Sequence, residues 1–270
     1  MSERDGFDTG VPCWVDTWQP DADAAVAFYT ALFGWEAHEA PGGGDEPVRH
    51  VMCSLRGREV AAIGSRPRGG GPELPPAWGT YVRVADADET VATATAAGGR
   101  VVMEAFDSLD GGRIAILADP LGAAFGVWQL GVHGGVRVVN EPSAWAMSVL
   151  LCDDPQPAKA FYRAVFGWQA DPFALGDQEA TLWRRPGYVG GEPAQPVPRD
   201  VVAVMAPAFG RPPAWIVNFW VEDADATAAA APDLGGSVVA GPFDTPISRD
   251  AVIADPAGAV FTVTTAPTAA

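Results

Sequence analysis

Asp16 lies between Trp14 and Trp18 in the segment Pro12–Trp18, which alternates as a β-strand does. The three side chains therefore share one face, and Val15 and Thr17 take the other. A carboxylate held between two indoles loses hydration, and its pKa rises unless a cation stands close enough to oppose the shift. Such a group is suited to act as a general acid or base. A second alternating run, Trp78–Val84, puts Tyr81 and Arg83 together, because Val82 and Val84 suit a helix-packed face. A phenol and a guanidinium there would hold a substrate's oxygens. The candidate catalytic set is Asp16, Tyr81 and Arg83, with Trp14, Trp18, His50, Trp78 and Arg113 as candidate substrate contacts. The competing explanation for Asp16 is an ordinary internal ion pair with an arginine.

The elements that must position these residues occur twice. Asp21 opens a stretch with Phe28-Tyr29, Phe33-Gly34-Trp35, and Asp154 opens another with Phe161-Tyr162, Phe166-Gly167-Trp168. Pro76-Ala-Trp78 recurs as Pro213-Ala-Trp215, Phe106-Asp107 as Phe243-Asp244, and Arg113 as Arg249. Ala118-Asp-Pro120 with Gly122 and Phe125 recurs as Ala254-Asp-Pro256 with Gly258 and Phe261. Five matches in one order establish a tandem duplication. Asp21 is a good N-cap, Val26, Tyr29, Leu32 and Phe33 form an apolar helical stripe, and Gly34 suits the C′ position. Arg56-Gly57-Arg58 between two short apolar runs signals a hairpin. A helix over about residues 88–97 and three strands near 101–106, 113–118 and 123–128 follow. The two Asp-Pro-x-Gly motifs read as tight turns, not as catalytic carboxylates. Each half is then βαβββ-βαβββ, giving domains at 10–130 and 144–266 joined by a linker at about 131–143.

Composition narrows the function. The 270-residue chain is 48% hydrophobic and 19% charged, as a core-forming protein is. A net charge of −17 argues against binding to nucleic acid or to an acidic membrane surface. The first residues lack the pattern of a secretory signal, there is no apolar run of membrane-spanning length, and the cysteines Cys13, Cys53 and Cys152 have no metal-type spacing. A cytoplasmic location is expected. No Gly-rich phosphate loop followed by Lys occurs.

A strand, an Asp-led helix ending in Phe-Tyr-x-x-x-Phe-Gly-Trp, and a terminal Asp-Pro-x-Gly-x-x-Phe strand resemble the vicinal oxygen chelate superfamily, which includes glyoxalases, bleomycin-resistance proteins and dioxygenases. The resemblance covers about residues 12–129 and 145–265. It implies an α+β fold: two tandem paired-βαβββ half-open barrels, each around a small-molecule cavity. That family holds its metal with His, Gln and Glu on inward-facing strand positions. Those positions fall at Trp14, Gly79 and Gly126 in the first half and at Met147, Ile216 and Thr262 in the second, none a useful ligand. His38, His50 and His133 match none of them, so no metal and no other cofactor is expected. The resemblance places Trp14, Asp16, Trp18, Tyr81 and Arg83 in the first cavity, and Met147, Val149, Leu151, Asn218, Trp220 and Arg249 in a more apolar second one.

These readings imply a metal-independent enzyme of secondary metabolism. It would dehydrate, cyclise or isomerise a flat, oxygen-rich aromatic substrate of polyketide type in the N-terminal cavity. Sequestration of an aromatic drug or metabolite without catalysis is the alternative, and a hydroxylase or oxygenase is a more distant third. The expected partner is a small aromatic molecule, and the expected assembly is a monomer or homodimer.

Overall fold

The computed structural model describes residues 3–40, 49–65, 75–108, 112–176, 178–190 and 198–265. The first half runs β1 (Pro12–Gln19), α1 (Ala22–Phe33), β2 (Glu36–Glu39), β3 (His50–Leu55), β4 (Arg58–Ser65), β5 (Trp78–Val84), α2 (Ala87–Ala96), β6 (Arg100–Asp107), β7 (Arg113–Ala118) and β8 (Ala124–Gln129). The second repeats it as β9 (Ala144–Leu151), α3 (Pro155–Phe166), β10 (Gln169–Leu175), β11 (Gln178–Arg184), β12 (Val201–Ala206), β13 (Ala214–Trp220), α4 (Ala224–Ala230), β14 (Ser237–Thr245), β15 (Ser248–Ala254) and β16 (Val260–Thr265). Each half builds one eight-stranded sheet from its own two modules. The orders are β2-β3-β4-β1-β5-β8-β7-β6 and β10-β11-β12-β9-β13-β16-β15-β14, so the α+β tandem architecture is as the repeat predicts. No helix among the described residues is long and apolar enough to cross a membrane.

Local signals act as expected. Asp21 accepts the Ala24 N–H at 3.0 Å, and Gly34 takes a left-handed φ of 70° to end α1. Arg56 and Gly57 both have positive φ, as a two-residue primed hairpin turn between β3 and β4 requires.

The helices lie on the outer faces of the sheets, α1 on β1 and β4, α2 on β6, β7 and β8, α3 on β10, and α4 on β14, β15 and β16, and the opposite faces look inward. The outer faces of the two sheets approach one another where β5 meets β13, and beside that contact Thr80 of β5 and Ser148 of β9 share a hydrogen bond of 2.7 Å. Helix α1 lies against both: Phe33 packs on Phe219 at 5.0 Å between ring centroids, and Phe28 on Phe261 at 6.3 Å. Helix α3 mirrors it, with Phe125 of the first half against Phe161 and Tyr162. The Asp-Pro-x-Gly motifs are turns, since Asp119 Oδ1 accepts the N–H groups of Leu121 and Ala123, and Asp255 Oδ1 those of Ala257 and Ala259. They are also the lock between halves. Tyr29 donates to Asp255 Oδ2 at 2.9 Å and Tyr162 to Asp119 Oδ2 at 3.1 Å, while Trp78 and Trp215 donate to the respective phenols at 2.8 Å. Gln19 adds a second donor to Asp255 at 2.7 Å; Cys152 stands at the matching place in the other half.

The segment joining the halves is a packed strap, not a free linker. Val136 and Val138 are fully buried, and the Val136 and Arg137 amides donate to the carbonyls of Cys13 and Glu59.

Candidate functional site

Strand register assembles the first inner face. Asp16 is opposite Gly79 and Trp14 is opposite Tyr81 across β1–β5; Asp16 also neighbours Ala62, and Trp18 neighbours Gly64, across β1–β4. Tyr81 neighbours Gly126 and Arg83 neighbours Trp128 across β5–β8, while His50 is opposite Gly64. The sequence-predicted Trp14, Asp16, Trp18, His50, Tyr81 and Arg83 therefore do share a face. Three glycines make their packing possible. A Cβ at Gly126 would collide with the Tyr81 ring, one at Gly64 would come within 2.9 Å of the Trp18 indole, and one at Gly79 within 3.0 Å of Asp16 Oδ1. Glycine inside a strand often marks such a close approach, and this was the available signal for the site's shape.

Asp16 is 5% exposed. Its Oδ2 accepts the Tyr81 O–H at 3.0 Å, while its Oδ1 is sealed from solvent with no hydrogen-bond partner among the described residues. Burial pushes its pKa up to about 7, with the Tyr81 hydrogen bond and then the nearby Trp18 side chain opposing the rise. Burial, followed by the neighbouring Asp16 charge, holds the Tyr81 phenol well above its usual value, so Tyr81 stays a donor. The result is a carboxyl that holds its proton far more tightly than an exposed aspartate does, oriented through Oδ2 by a phenol that remains protonated. Trp18 and His50, both half-buried with rings 6.0 Å apart, stand beside it.

Several predicted contacts lie elsewhere. Arg83 does not join Asp16; its guanidinium hydrogen-bonds the Phe7 carbonyl and ties down the N-terminal segment. Among the described residues no arginine forms the internal ion pair considered for Asp16. Trp78 belongs to the outer face, where it packs on Phe219 at 5.0 Å and donates to Tyr29, so it is core and not cavity wall. Arg113 also points outward, to Asp88 at 2.7 Å and Asp107 at 3.0 Å. Its counterpart Arg249 does the same with Asp225 and Asp244, which removes it from the second cavity. Both arginines staple a helix onto its sheet.

His133 was not singled out in the sequence. The strap carries its ring to Trp14 at 4.9 Å, edge-on, and to Trp128 at 5.3 Å, stacked, with Nε2 3.0 Å from Glu59 Oε2. No local pattern encodes this, because the contact depends on the strap folding back. Trp14 is consequently packed under His133 and Trp128 and is not an open wall.

In the second half, Met147 is opposite Asn218, and Asn218 neighbours Thr262, with Trp220 beside Thr264. Asp250 is opposite Thr264 and so faces inward as well, a second inner carboxylate that the sequence reading missed. This half is less purely apolar than its first strand suggests.

Residues 14–127 match the family described as Glyoxalase/Bleomycin resistance protein/Dioxygenase superfamily, and residues 147–264 match the Glyoxalase-like domain. The protein named "Putative glyoxylase CFP32" from Mycobacterium tuberculosis (strain CDC 1551 / Oshkosh) is 41% identical over 268 residues, which is 97% of each chain. The chain belongs to the glyoxalase/bleomycin resistance/dioxygenase superfamily. Anthracycline biosynthesis protein DauV from Streptomyces sp. (strain C5) is 37% identical over 95% of this chain and 94% of its own length. In fold, the chain is similar to the Mn(II)-bound glyoxalase from Novosphingobium aromaticivorans, with a TM-score of 0.61 at 18% identity over 95% of this chain and 82% of that one.

The metal of that superfamily does not fit the residues found here. Gly79 and Gly126 offer no donor, and the volume a ligand side chain at Gly126 would need is filled by the Tyr81 ring. Trp14, Met147 and Ile216 supply no hard donor atom. Among the described residues no group of three or more His, Cys, Asp or Glu side chains is placed to hold an ion.

Proposed function

We propose that this protein is a metal-independent acid–base enzyme acting on a flat, oxygen-rich aromatic molecule of polyketide type in its N-terminal half-barrel. The observation that carries the reading is the Asp16 carboxyl: buried, bonded to Tyr81 through Oδ2 and, among the described residues, with no partner at Oδ1 and no cation beside it. As carboxylate, Asp16 takes a proton from an acidified C–H of the bound substrate. As carboxylic acid, it returns that proton to a neighbouring hydroxyl, which leaves as water, or to another carbon, which completes an isomerisation. Tyr81 donates to Asp16 throughout and holds its orientation. Trp18 and His50 would lie against the substrate's rings. The name of the relative DauV, an anthracycline biosynthesis protein, supports an aromatic polyketide as substrate class.

The test is turnover of anthracycline-type aromatic polyketides followed by mass spectrometry, with loss of water marking dehydration and unchanged mass marking isomerisation. Asp16→Asn keeps the shape and removes the proton carrier. Its turnover should fall roughly 100-fold or more, the scale of acid–base catalysis, with much smaller change in substrate affinity. Wild-type rates in Asp16→Asn would sink the acid–base assignment. Tight binding by wild type with no turnover of any such compound would leave sequestration as the function.

A further inference from the structure

A small cavity lies at the seam where the N-terminal segment, the strap and the start of β9 meet. Pro12 and Trp145, equivalent positions of the repeat, both line it, which puts it close to the axis relating the two halves. Met147 of the second inner face is at its border. Its volume is about 50 Å³. That is room for roughly three to five waters, or for one anion of about four heavy atoms, and far too little for a polyketide.

Hydrogen-bond donors surround this space. Arg4 is fixed by its backbone: its amide donates to the Arg137 carbonyl at 2.9 Å, and Glu3 bridges to Val138. Its Nε is buried without a hydrogen-bond partner, and among the described residues it forms no ion pair. Trp145 is 5% exposed, and its Nε1 likewise has no partner among the described residues. Tyr188 adds an O–H. A Cβ at Gly190 would collide with that hydroxyl, so the glycine is what admits the ring. Burial raises the Tyr188 pKa, with the neighbouring Arg4 charge opposing the rise, and the phenol stays a donor. No Asp or Glu side chain lines the cavity, although the chain has 34 of them, so nothing in the wall neutralises the guanidinium. A buried N–H without an acceptor is costly and rare, and two beside one small cavity call for an acceptor between them.

Phe7, Val11, Val139 and Val202 make the rest of the wall apolar. Such a wall suits a methyl or ethyl group and penalises a heavily hydrated dianion such as phosphate or sulfate. The planar guanidinium fork matches a carboxylate. We infer that the seam between the halves is a binding site for a short-chain monocarboxylate, its charged end taken by Arg4, Trp145 and Tyr188 and its alkyl end by the valines. The site differs from that of Asp16 in place, size and ligand charge, since the Asp16 carboxylate would repel such an anion. It does not rest on the function proposed above.

Nuclear magnetic resonance of the nitrogen-15-labelled full chain tests this through the Trp145 indole N–H, whose cross-peak is identified by its absence from Trp145→Phe. Titration with sodium acetate near neutral pH should move that cross-peak saturably. Acetamide, the uncharged isostere, should leave it in place, and sodium chloride at equal concentration should move it far less. Arg4→Gln should weaken acetate binding roughly tenfold or more, as loss of a charge-assisted hydrogen bond entails. Tyr188→Phe should weaken it by a smaller factor, roughly threefold, and carries the test if Arg4→Gln does not fold. Asp16→Asn should follow the wild-type curve. A Trp145 cross-peak that ignores acetate, or that responds equally to acetamide or chloride, would overturn the assignment. So would wild-type affinity in either the Arg4 or the Tyr188 variant, or a response lost in Asp16→Asn.

Discussion

The two inner faces come from one ancestral pattern and now differ in almost every chemical respect. In the first half the strands carry Trp14, Asp16, Tyr81 and Trp128, all buried, and the strap adds His133 on top. In the second half the matching strands carry Met147, Val149, Asn218 and the threonines Thr262 and Thr264, with the first three and Thr262 only half-buried. The outer faces, by contrast, retain matched residues in both copies: Tyr29 with Tyr162, Trp78 with Trp215, Asp119 with Asp255, Arg113 with Arg249. Packing between halves constrains one face of each strand, and the alternate residues are left to specialise.

The largest contrast should appear in stability. Trp14→Ala removes a buried indole and leaves a cavity under Trp128 and His133, which costs about 3–5 kcal/mol. Met147→Ala, at the same place in the repeat, empties space that is already half-open and should cost about 1 kcal/mol. Chemical denaturation of both variants measures the difference, and equal losses would show the second inner face to be as closed as the first.

A smaller and pH-dependent contrast follows from Asp16. Its pKa of about 7 lies above the roughly 3.9 of an unfolded aspartate, so the folded state holds the proton more tightly. The associated stability is complete below about pH 4 and is lost as pH rises through about 7. The stability of wild type minus that of Asp16→Asn should therefore decline by a few kcal/mol across this window, because the other titrating groups cancel in the difference. Val149→Asn, the matching change in the second half, should leave the wild-type pH profile in place. A flat difference curve for Asp16→Asn would mean that its carboxyl titrates as an exposed one does.

The smallest contrast concerns the lock. Tyr162→Phe leaves Asp119 Oδ2 without its side-chain donor and should cost about 2–3 kcal/mol. Tyr29→Phe leaves Asp255 Oδ2 still bonded to Gln19 and should cost nearer 1 kcal/mol. If Tyr29→Phe proved the more damaging, the Gln19 bond would be of no consequence.

Much of this was legible in the sequence, because the signals were local. Repeated helix caps, the Asp-Pro-x-Gly turns and strand alternation give the βαβββ modules and bring Asp16 onto one face with Tyr81. Trp78 was misplaced although the same alternation that assigns Val82 and Val84 to the outer face assigns Trp78 there too. Arg113 and Arg249 carry a charge that suits a cavity, yet Asp88 in the first turn of α2 and Asp225 in the first turn of α4 claim them on the outer face. His133 and the Asp119 and Asp255 bridges depend on segments distant in the chain meeting in space, and no local pattern reports such meetings. Asp250 replaces Ile114 of the first half, so the repeat carries no signal for an inner carboxylate there.

The reciprocal Tyr–Asp bridges carry a consequence for the history of the chain. Each half finishes its turn with a phenol borrowed from the other, and each hides the aromatic ring cluster of the other's helix. A lone repeat would expose Phe28, Tyr29 and Phe33 to water and leave a buried-type carboxylate unsatisfied, so it would need a second copy of itself to fold against. In such a symmetric pair, any substitution alters both concave surfaces at once, and a reaction centre could not be gained in one without being gained in both. Covalent fusion of the copies breaks that symmetry at the level of the gene while keeping it at the joint, which is the condition under which Asp16 and Val149 could come to occupy equivalent positions.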